Sequence, residues 1–281
     1  MKPLIGLSLM HEPEFLQASL ELFENDCVDC VEWSFDSLWN NFSSCPWLDE
    51  LLIEYSSQGR LFGHGVHFSF LSAELSTEQM DYLDKLNNEF DSRNYVHSSE
   101  HFGFMARTAL GKGAPLPVPL IPDVFQLAEQ RLELLGKHTG TAVGLENLAL
   151  AFNKEDALKH YSFINDLAAN GFILLDLHNI YCQIENFGIS LADVLERIDS
   201  SRVHEIHISG GSWEEAMGKR IRRDTHDDAV PDAVFDLLQA ALPQLPNVKC
   251  VIFERLGNSF KNENDAIEFR SDFMKIRASV T

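Results

Sequence analysis

Gly171-Phe-Ile-Leu-Leu-Asp176-Leu-His178-Asn179 is the stretch that decides the fold. Four large apolar residues end abruptly in a carboxylate, an imidazole and an amide. An apolar run of this length, entered from the helix-patterned segment Glu155 to Ala169, reads as a strand buried on both faces, as in a parallel sheet. A charge at the C-terminal end of such a strand stands where parallel α/β folds bind their ligands. The arrangement recurs. Leu61 to Phe68 carries His64, and Tyr95 to Ser98 leads to Glu100-His101. Ala142 to Leu145 ends in Glu146-Asn147, Val203 to Ile208 contains His207, and Val248 to Phe253 ends in Glu254-Arg255.

Working outward, Leu4 to Leu9 and Cys30 to Ser34 read as two further strands, which makes eight. Helical spacing is expected at Glu12 to Phe23, Trp47 to Tyr55, Ser76 to Asn88, Asp123 to Leu135, Glu155 to Ala169, Ser190 to Ile198, Pro231 to Leu242 and Asn262 to Ile276. Strands alternating with helices favour a parallel sheet with helical crossovers. Eight units favour closure into a (β/α)8 barrel, with a doubly wound open sheet as the alternative. No internal linker interrupts the pattern, so residues 1–281 are expected to form one catalytic domain. The glycine- and proline-rich segment from Lys112 to Pro119 is long enough to act as a lid, or equally as a rigid connector.

Composition narrows the function. The chain has 281 residues, 45% of them hydrophobic, enough for a sizeable core. No apolar run is long enough to span a bilayer, and the N-terminus lacks a signal-peptide pattern. Five cysteines without framework spacing fit a reducing cytoplasm with free thiols. A net charge of -21 argues against a nucleic-acid partner, because phosphate binding needs a basic footprint.

In a barrel, His64, His101, Glu146, Asp176, His207 and Glu254 converge on the C-terminal mouth. His178 and Asn179 join them from the sixth strand, and Asp224 and His226 from the loop after the seventh. So many carboxylates and imidazoles cannot be desolvated together unpaired, and divalent or trivalent cations resolve the conflict. Nitrogen and oxygen donors without thiolate suit iron, manganese or catalytic zinc. The donor count calls for two or three ions sharing carboxylates, with Glu146 as the bridge. Any one strand-end histidine alone reads as an ordinary core residue; the set is the signal. By strand alternation His97 and His204 face away from it, and His11, His138 and His160 read as surface residues. Cys27-Val-Asp-Cys30 and Cys182 read as packing residues.

The segments Gly63-His64-Gly65-Val66, Ser99-Glu100-His101, Leu145-Glu146-Asn147, Leu175-Asp176-Leu-His178-Asn179, Glu205-Ile-His207-Ile-Ser-Gly210, Asp224-Thr-His226 and Phe253-Glu254-Arg255 span nearly the whole chain. Jointly they resemble the xylose-isomerase-like superfamily, which includes endonuclease IV with its trinuclear zinc site. They are more similar still to the multinuclear non-haem iron-dependent oxidases, the family of the methanobactin-forming oxidase. That resemblance implies a barrel holding two or three iron ions, which uses dioxygen to modify cysteine in a ribosomally made precursor peptide presented by a partner protein. It implies iron ligation by His64, His101, Glu146, Asp176, His207, Asp224, His226 and Glu254. The family often has Asp-x-Asn-Asn where this chain has Asp176-Leu-His178-Asn179, so either His178 or Asn179 takes the amide's place. A histidine common after the seventh strand is replaced by Gly210-Gly211. Glu146, Asp176 and His178 are the expected catalytic residues.

The rival readings are a Mn²⁺- or Mg²⁺-dependent sugar isomerase or epimerase, a trinuclear zinc phosphodiesterase, and a catalytically silent scaffold. Histidine richness counts against the first, charge against the second and buried ligand-type charges against the third. Lys219-Arg220-Ile-Arg222-Arg223, a basic cluster adjoining Asp224, could hold an acidic leader peptide or a substrate carboxylate, or be a solvated face.

Overall fold

The computed structural model describes residues 2–37, 39, 46–105, 115–216 and 218–280. Eight parallel strands close into a barrel: β1 (Leu4–Leu9), β2 (Cys30–Trp33), β3 (Leu61–Gly65), β4 (Ser98–His101), β5 (Val143–Glu146), β6 (Phe172–Asp176), β7 (Val203–Ser209) and β8 (Cys250–Glu254). They neighbour one another in chain order, and β8 closes on β1 with Leu4 opposite Cys250 and Leu7 opposite Phe253. The open-sheet alternative is thereby excluded. Every residue of β6 is buried, which is why its sequence is an unbroken apolar run.

Around the barrel run α1 (Pro13–Glu24), α2 (Pro46–Ser57), α3 (Thr77–Ser92), α4 (Pro122–Thr139), α5 (Lys154–Leu167), α6 (Leu177–Phe187), α7 (Leu191–Leu195), α8 (Asp232–Ala241) and α9 (Glu263–Ser279). Local chemistry fixes their ends. Ser76 and Gln79 form a capping box on α3, and Asn262 and Asp265 form one on α9. Gly140 ends α4 in the left-handed conformation at φ 64. The outward strand residues and the inner helix faces form one large apolar core, with Leu7, Leu9, Val31, Leu145, Leu175, Ile206 and Ile208 among its members.

The crossover after β6 departs from expectation. The helix expected at Ser190 to Ile198 is the short α7, while the main crossover is α6, which starts immediately after Asp176. The polar cluster at His178-Asn179 looks like a loop in sequence. Yet both residues are buried in the first turn, because the Asp176 side chain caps the helix by accepting a bond from Asn179 N at 2.5 Å. The segment from Lys112 to Pro119 lies partly outside the described residues. Within them, Pro115–Leu116 pairs antiparallel with Phe104–Met105.

Inside the barrel the floor is small and tight. Cys30, Phe62, Cys250 and Ile252 pack there, and a Cβ on Gly6 would lie 2.6 Å from Cys30 Sγ. His97 belongs to this interior, contrary to expectation. It precedes β4 and shares the two-residue period of Ser99 and His101. It is fully buried, with Nε2 2.9 Å from Glu205 Oε2. His160 is also buried rather than at the surface; its Nε2 accepts from Leu148 N at 3.1 Å. His204 stands at an irregularity in the β6–β7 register and stacks on Phe172, at the end of β7 remote from the mouth.

Candidate metal centre

The C-terminal ends of the strands bring the expected residues to one mouth. His64 lies at the end of β3, His101 of β4, Glu146 of β5, Asp176 of β6, His207 of β7 and Glu254 of β8. Side chains of His64, Glu146, Asp176, His207 and Glu254 are buried, while His101, Asp224 and His226 are half-buried at the rim. The rings of His64 and His101 stand 4.8 Å apart, and those of His64 and His207 5.3 Å apart.

The rim loop has its own architecture. After β7 the chain passes through Gly210-Gly211 into a two-stranded ribbon, Trp213–Ala216 with Lys219–Arg222, and returns as Asp224-Thr225-His226. A Cβ on Gly211 would meet His178 Cε1 and Thr225 N, each at 2.9 Å. The two glycines therefore let the returning loop fold over the mouth. His226 adopts φ 50, a strained value for a residue with a Cβ, and its carbonyl accepts from Leu256 N at 2.8 Å.

Asn147 braces the ends of β5 and β6. Its Oδ1 accepts from Asp176 N at 2.8 Å, and its Nδ2 donates to Asp176 O at 3.1 Å. Asn179 Nδ2 donates to Glu146 Oε1 at 3.0 Å and to Asn147 O at 2.9 Å, which leaves the amide oxygen free.

Two kinds of histidine contact occur here. His64 Nδ1 is bonded to Ser99 Oγ at 2.8 Å and His207 Nε2 to Glu32 Oε2 at 3.0 Å, both well aligned. The nitrogens turned to the mouth differ. His207 Nδ1 lies 3.0 Å from Glu254 Oε2, and His226 Nε2 2.8 Å from Asp224 Oδ1, yet neither nitrogen has hydrogen-bond alignment. His64 Nε2 and His101 Nε2 approach Glu146 Oε2 at 3.5 and 3.3 Å, and that oxygen has no hydrogen-bond partner either. Asp176 Oδ2 and Asn179 Oδ1 are buried without partners as well.

The electrostatics are strained in both directions. Burial pushes the Glu146 carboxyl well above its usual range, with His207 pulling it back. Burial, then Asp224 and Glu254, push Asp176 up to about 8. Against the cost of burial, His207 and His226 hold Glu254 low, and His226 and His178 hold Asp224 well below its ordinary value. Burial carries His101 down to about 4 and lowers His64 too. Against burial, Glu254 and Glu32 raise His207. Opposite shifts within one cavity are what make this mouth the candidate functional site.

His178 is placed differently from its expectation as a ligand. Its Nδ1 is bonded to Asp224 Oδ1 at 2.9 Å, and its Nε2 faces Arg222 Nη2 at 3.3 Å, so both ring nitrogens have partners. Arg222 is itself buried against Tyr181 and Trp213. Sequence reasoning missed Ser99, Glu32 and Glu205, and it placed Arg222 in a basic cluster beside Asp224 without its contact to His178. Glu205 and Ser99 each stand two residues before a histidine of the set, and so on the same face. Glu32 is a lone carboxylate inside the apolar β2. Those were the available signals.

With the geometry in view, the relatives are informative. The profile of the family described as RiPP precursor modification enzyme MbnB/TglH/ChrH matches residues 6–269. A UPF0276 protein of Caulobacter vibrioides is 28% identical over 192 residues, 67% of this chain and 66% of that one. One from Acaryochloris marina is 28% identical over 224 residues, 74% of this chain and 79% of that protein. The chain thus spans about two thirds of the length of the Caulobacter relative. Among solved structures, endonuclease IV from Thermus thermophilus superposes with a TM-score of 0.60 at 11% identity, over 98% of this chain and 100% of that one. An L-ribulose 3-epimerase superposes with a TM-score of 0.58 at 14% identity, over 99% and 95%. These structures share the xylose-isomerase-like barrel. The profile match over nearly the whole chain shows more: the protein belongs to the MbnB/TglH/ChrH family of RiPP precursor modification enzymes.

Proposed function

We propose that the protein is an iron- and dioxygen-dependent oxidase that modifies cysteine in a ribosomally synthesised precursor peptide, at a centre of two or three ions in the barrel mouth. One observation supports a multinuclear centre above the others. Four groups of donors overlap: His64, His101 and Glu146; Glu146, Asp176 and His207; Asp176, His226 and Glu254; and Glu32, His207 and Glu254. In each group the donor atoms lie within 4.8 Å of one another. Glu146 belongs to the first two and Asp176 to the second and third, as carboxylates that bridge neighbouring ions would.

The spacing fits metal ligation. Two donors each about 2.1 Å from one cation stand roughly 3.0–3.4 Å apart for right-angle to tetrahedral geometry. Most of the unaligned nitrogen–oxygen contacts, from 2.8 to 3.5 Å, fall in or near that range. Nitrogen and oxygen donors with no thiolate in the overlapping groups suit iron.

Eight residues of this chain would hold the ions: His64, His101, Glu146, Asp176, His207, His226, Glu254 and, at the rim, Asp224. Asn179 offers its free amide oxygen as a ninth donor. His178 is assigned a different part, holding Asp224 by Nδ1 while Arg222 occupies Nε2. When bound, iron and its co-substrate dioxygen would supply the oxidising power that cysteine modification requires. The protein's own work is to orient and exclude. Asn147 and Asn179 fix Asp176 and Glu146, Ser99 fixes His64, and the buried strand ends keep water from the reacting groups. The ribbon with Lys219 and Arg220 stands beside the mouth, where an acidic peptide segment or carboxylate could dock. The peptide would be brought by a presenting partner protein, and the reaction would be cytoplasmic, in keeping with free rather than paired cysteines among the described residues.

Metal analysis of protein purified without oxygen tests this reading. Two or three irons per chain, with oxygen consumption on addition of a cysteine-containing precursor peptide, are expected. Zinc alone would turn the assignment towards hydrolysis, and manganese or magnesium alone towards sugar isomerisation.

A further inference from the structure

Among the described residues, His207 is the mouth histidine whose far nitrogen rests on a carboxylate from across the barrel. Glu32 lies on β2 and His207 on β7, and the two meet through the barrel interior rather than along a shared strand edge. Both side chains are fully buried. The Nε2 to Oε2 distance is 3.0 Å with hydrogen-bond alignment. Glu205 Oε1 approaches the same nitrogen at 3.9 Å, and Glu205 is anchored by His97 at 2.9 Å and by Cys250 Sγ at 3.4 Å. On its other side the ring presents Nδ1, which lies 3.0 Å from Glu254 Oε2 without alignment.

From this geometry we infer that Glu32 is a positioning residue: it accepts a hydrogen bond from the Nε2–H of His207, fixes the ring's tautomer and rotation, and so presents the Nδ1 lone pair to the ion shared with Asp176 and Glu146. The inference rests on the reading of the mouth as a metal centre. A carboxylate behind a ligating histidine raises its basicity and stops the ring from flipping, and losing such a partner typically costs about 10–100-fold in metal affinity. A purely structural ion pair would behave otherwise. Replacing it with an apolar residue of similar size would change fold stability and leave metal affinity where it was.

The test uses the whole chain and Zn²⁺ as a diamagnetic probe. In zinc-loaded wild-type protein, nitrogen-15 NMR of the imidazoles should show a slowly exchanging proton on His207 Nε2 and none on Nδ1. A proton on Nδ1 with Nε2 bound to zinc would overturn the inference, whatever the variants do. In chelator competition, Glu32→Met should lower zinc affinity about 10–100-fold, and Glu32→Gln, which keeps an acceptor, should lose less. Wild-type affinity in a folded Glu32→Met, or an equal loss in both variants, would also overturn it. His207→Ala is the control for the parent reading. If it leaves zinc binding unchanged, the metal-centre assignment of His207 fails; if it abolishes binding while Glu32→Met does not, only the role of Glu32 fails.

Discussion

The barrel holds two layers of buried charge, and they solve the same problem in opposite ways. In the lower layer His97 and Glu205 form an aligned pair at 2.9 Å, with Cys250 Sγ against the second carboxylate oxygen. In the upper layer the imidazole nitrogens of His64, His101, His207 and His226 that face the mouth crowd carboxylates at contact distance, those of His207 and His226 without alignment, and Glu146 Oε2 and Asp176 Oδ2 have no hydrogen-bond partners. Desolvated charges must be compensated. The lower layer does so within the chain. In the upper layer, on the proposed reading, cations would do so. On that reading, the same residue types serve packing in one layer and ligation in the other, and alignment is what distinguishes them.

The most severe way to break the comparison is to unpair the lower layer. His97→Ala leaves Glu205 buried without its imidazole, and a stranded charge of this kind costs about 3–5 kcal/mol. A fall in Tm on the order of 10 °C is expected in the metal-free protein, and the metal taken up per folded chain on reloading should match wild type. His97→Leu combined with Glu205→Leu removes both charges and should recover most of that loss. Loss of metal with His97→Ala, without loss of stability, would make the lower layer part of the centre.

The upper layer should respond with the opposite sign. Glu146→Gln removes a carboxylate that burial pushes well up. The metal-free variant should therefore be more stable than wild type at pH 8. It should also lose at least one ion per chain, because Glu146 joins two donor groups. Calorimetry of metal-free protein beside metal analysis separates the two effects. A metal-free variant less stable than wild type would mean that Glu146 is held as firmly as Glu205.

Proton linkage sharpens the contrast. Asp176 titrates at about 8 in the fold against 3.8 unperturbed. A raised carboxyl contributes stability that is fully present below its unfolded value and is lost as pH rises through the folded one. The metal-free upper layer should therefore weaken from pH 4 to 8, and Asp176→Asn should flatten that slope. Metal binding requires the proton to leave, so zinc affinity should climb through the same window and level off above about pH 8. Glu205 behaves inversely. Against burial, His97 and His207 hold it below its ordinary 4.5, so its contribution is present above that pH and fades only in acid. A zinc affinity that is flat between pH 6 and 8 would remove Asp176 from the ligand set.

Much of this was legible in the sequence, because strand ends in a parallel barrel are read one residue at a time. An apolar run ending in a charge needs no tertiary knowledge to be placed at the mouth, and His64, His101, Glu146, Asp176, His207, Asp224, His226 and Glu254 all lie there. What was hidden depends on contacts across the barrel or on exact strand limits. His97 was assigned to the wrong face although it keeps the period of His101, because β4 begins only at Ser98 and its phase has to be fixed from the far end. Glu32 meets its partner 175 residues away, a separation no local pattern encodes. The helix at Leu177–Phe187 was obscured because its first turn is built from site residues. The part His178 plays was hidden for a related reason: position in sequence brings a ring to the mouth but does not say where its nitrogens point.

His178 therefore gives the mildest and most discriminating test. Its Nδ1 holds Asp224 and its Nε2 meets a guanidinium, a cation that disfavours a metal ion at the same nitrogen. His178→Ala should loosen Asp224 and lower metal affinity about tenfold, at the low end for a residue that supports a ligand from behind, with the number of ions per chain unchanged. Asp224→Ala should cost more than that. If His178→Ala instead removes one whole ion, the ring turns away from Arg222 when metal binds, and His178 returns to the ligand set. Arg222→Met decides between these outcomes independently. With the guanidinium gone, a ligating ring would bind metal more tightly, whereas a ring that only supports Asp224 would leave affinity near wild type.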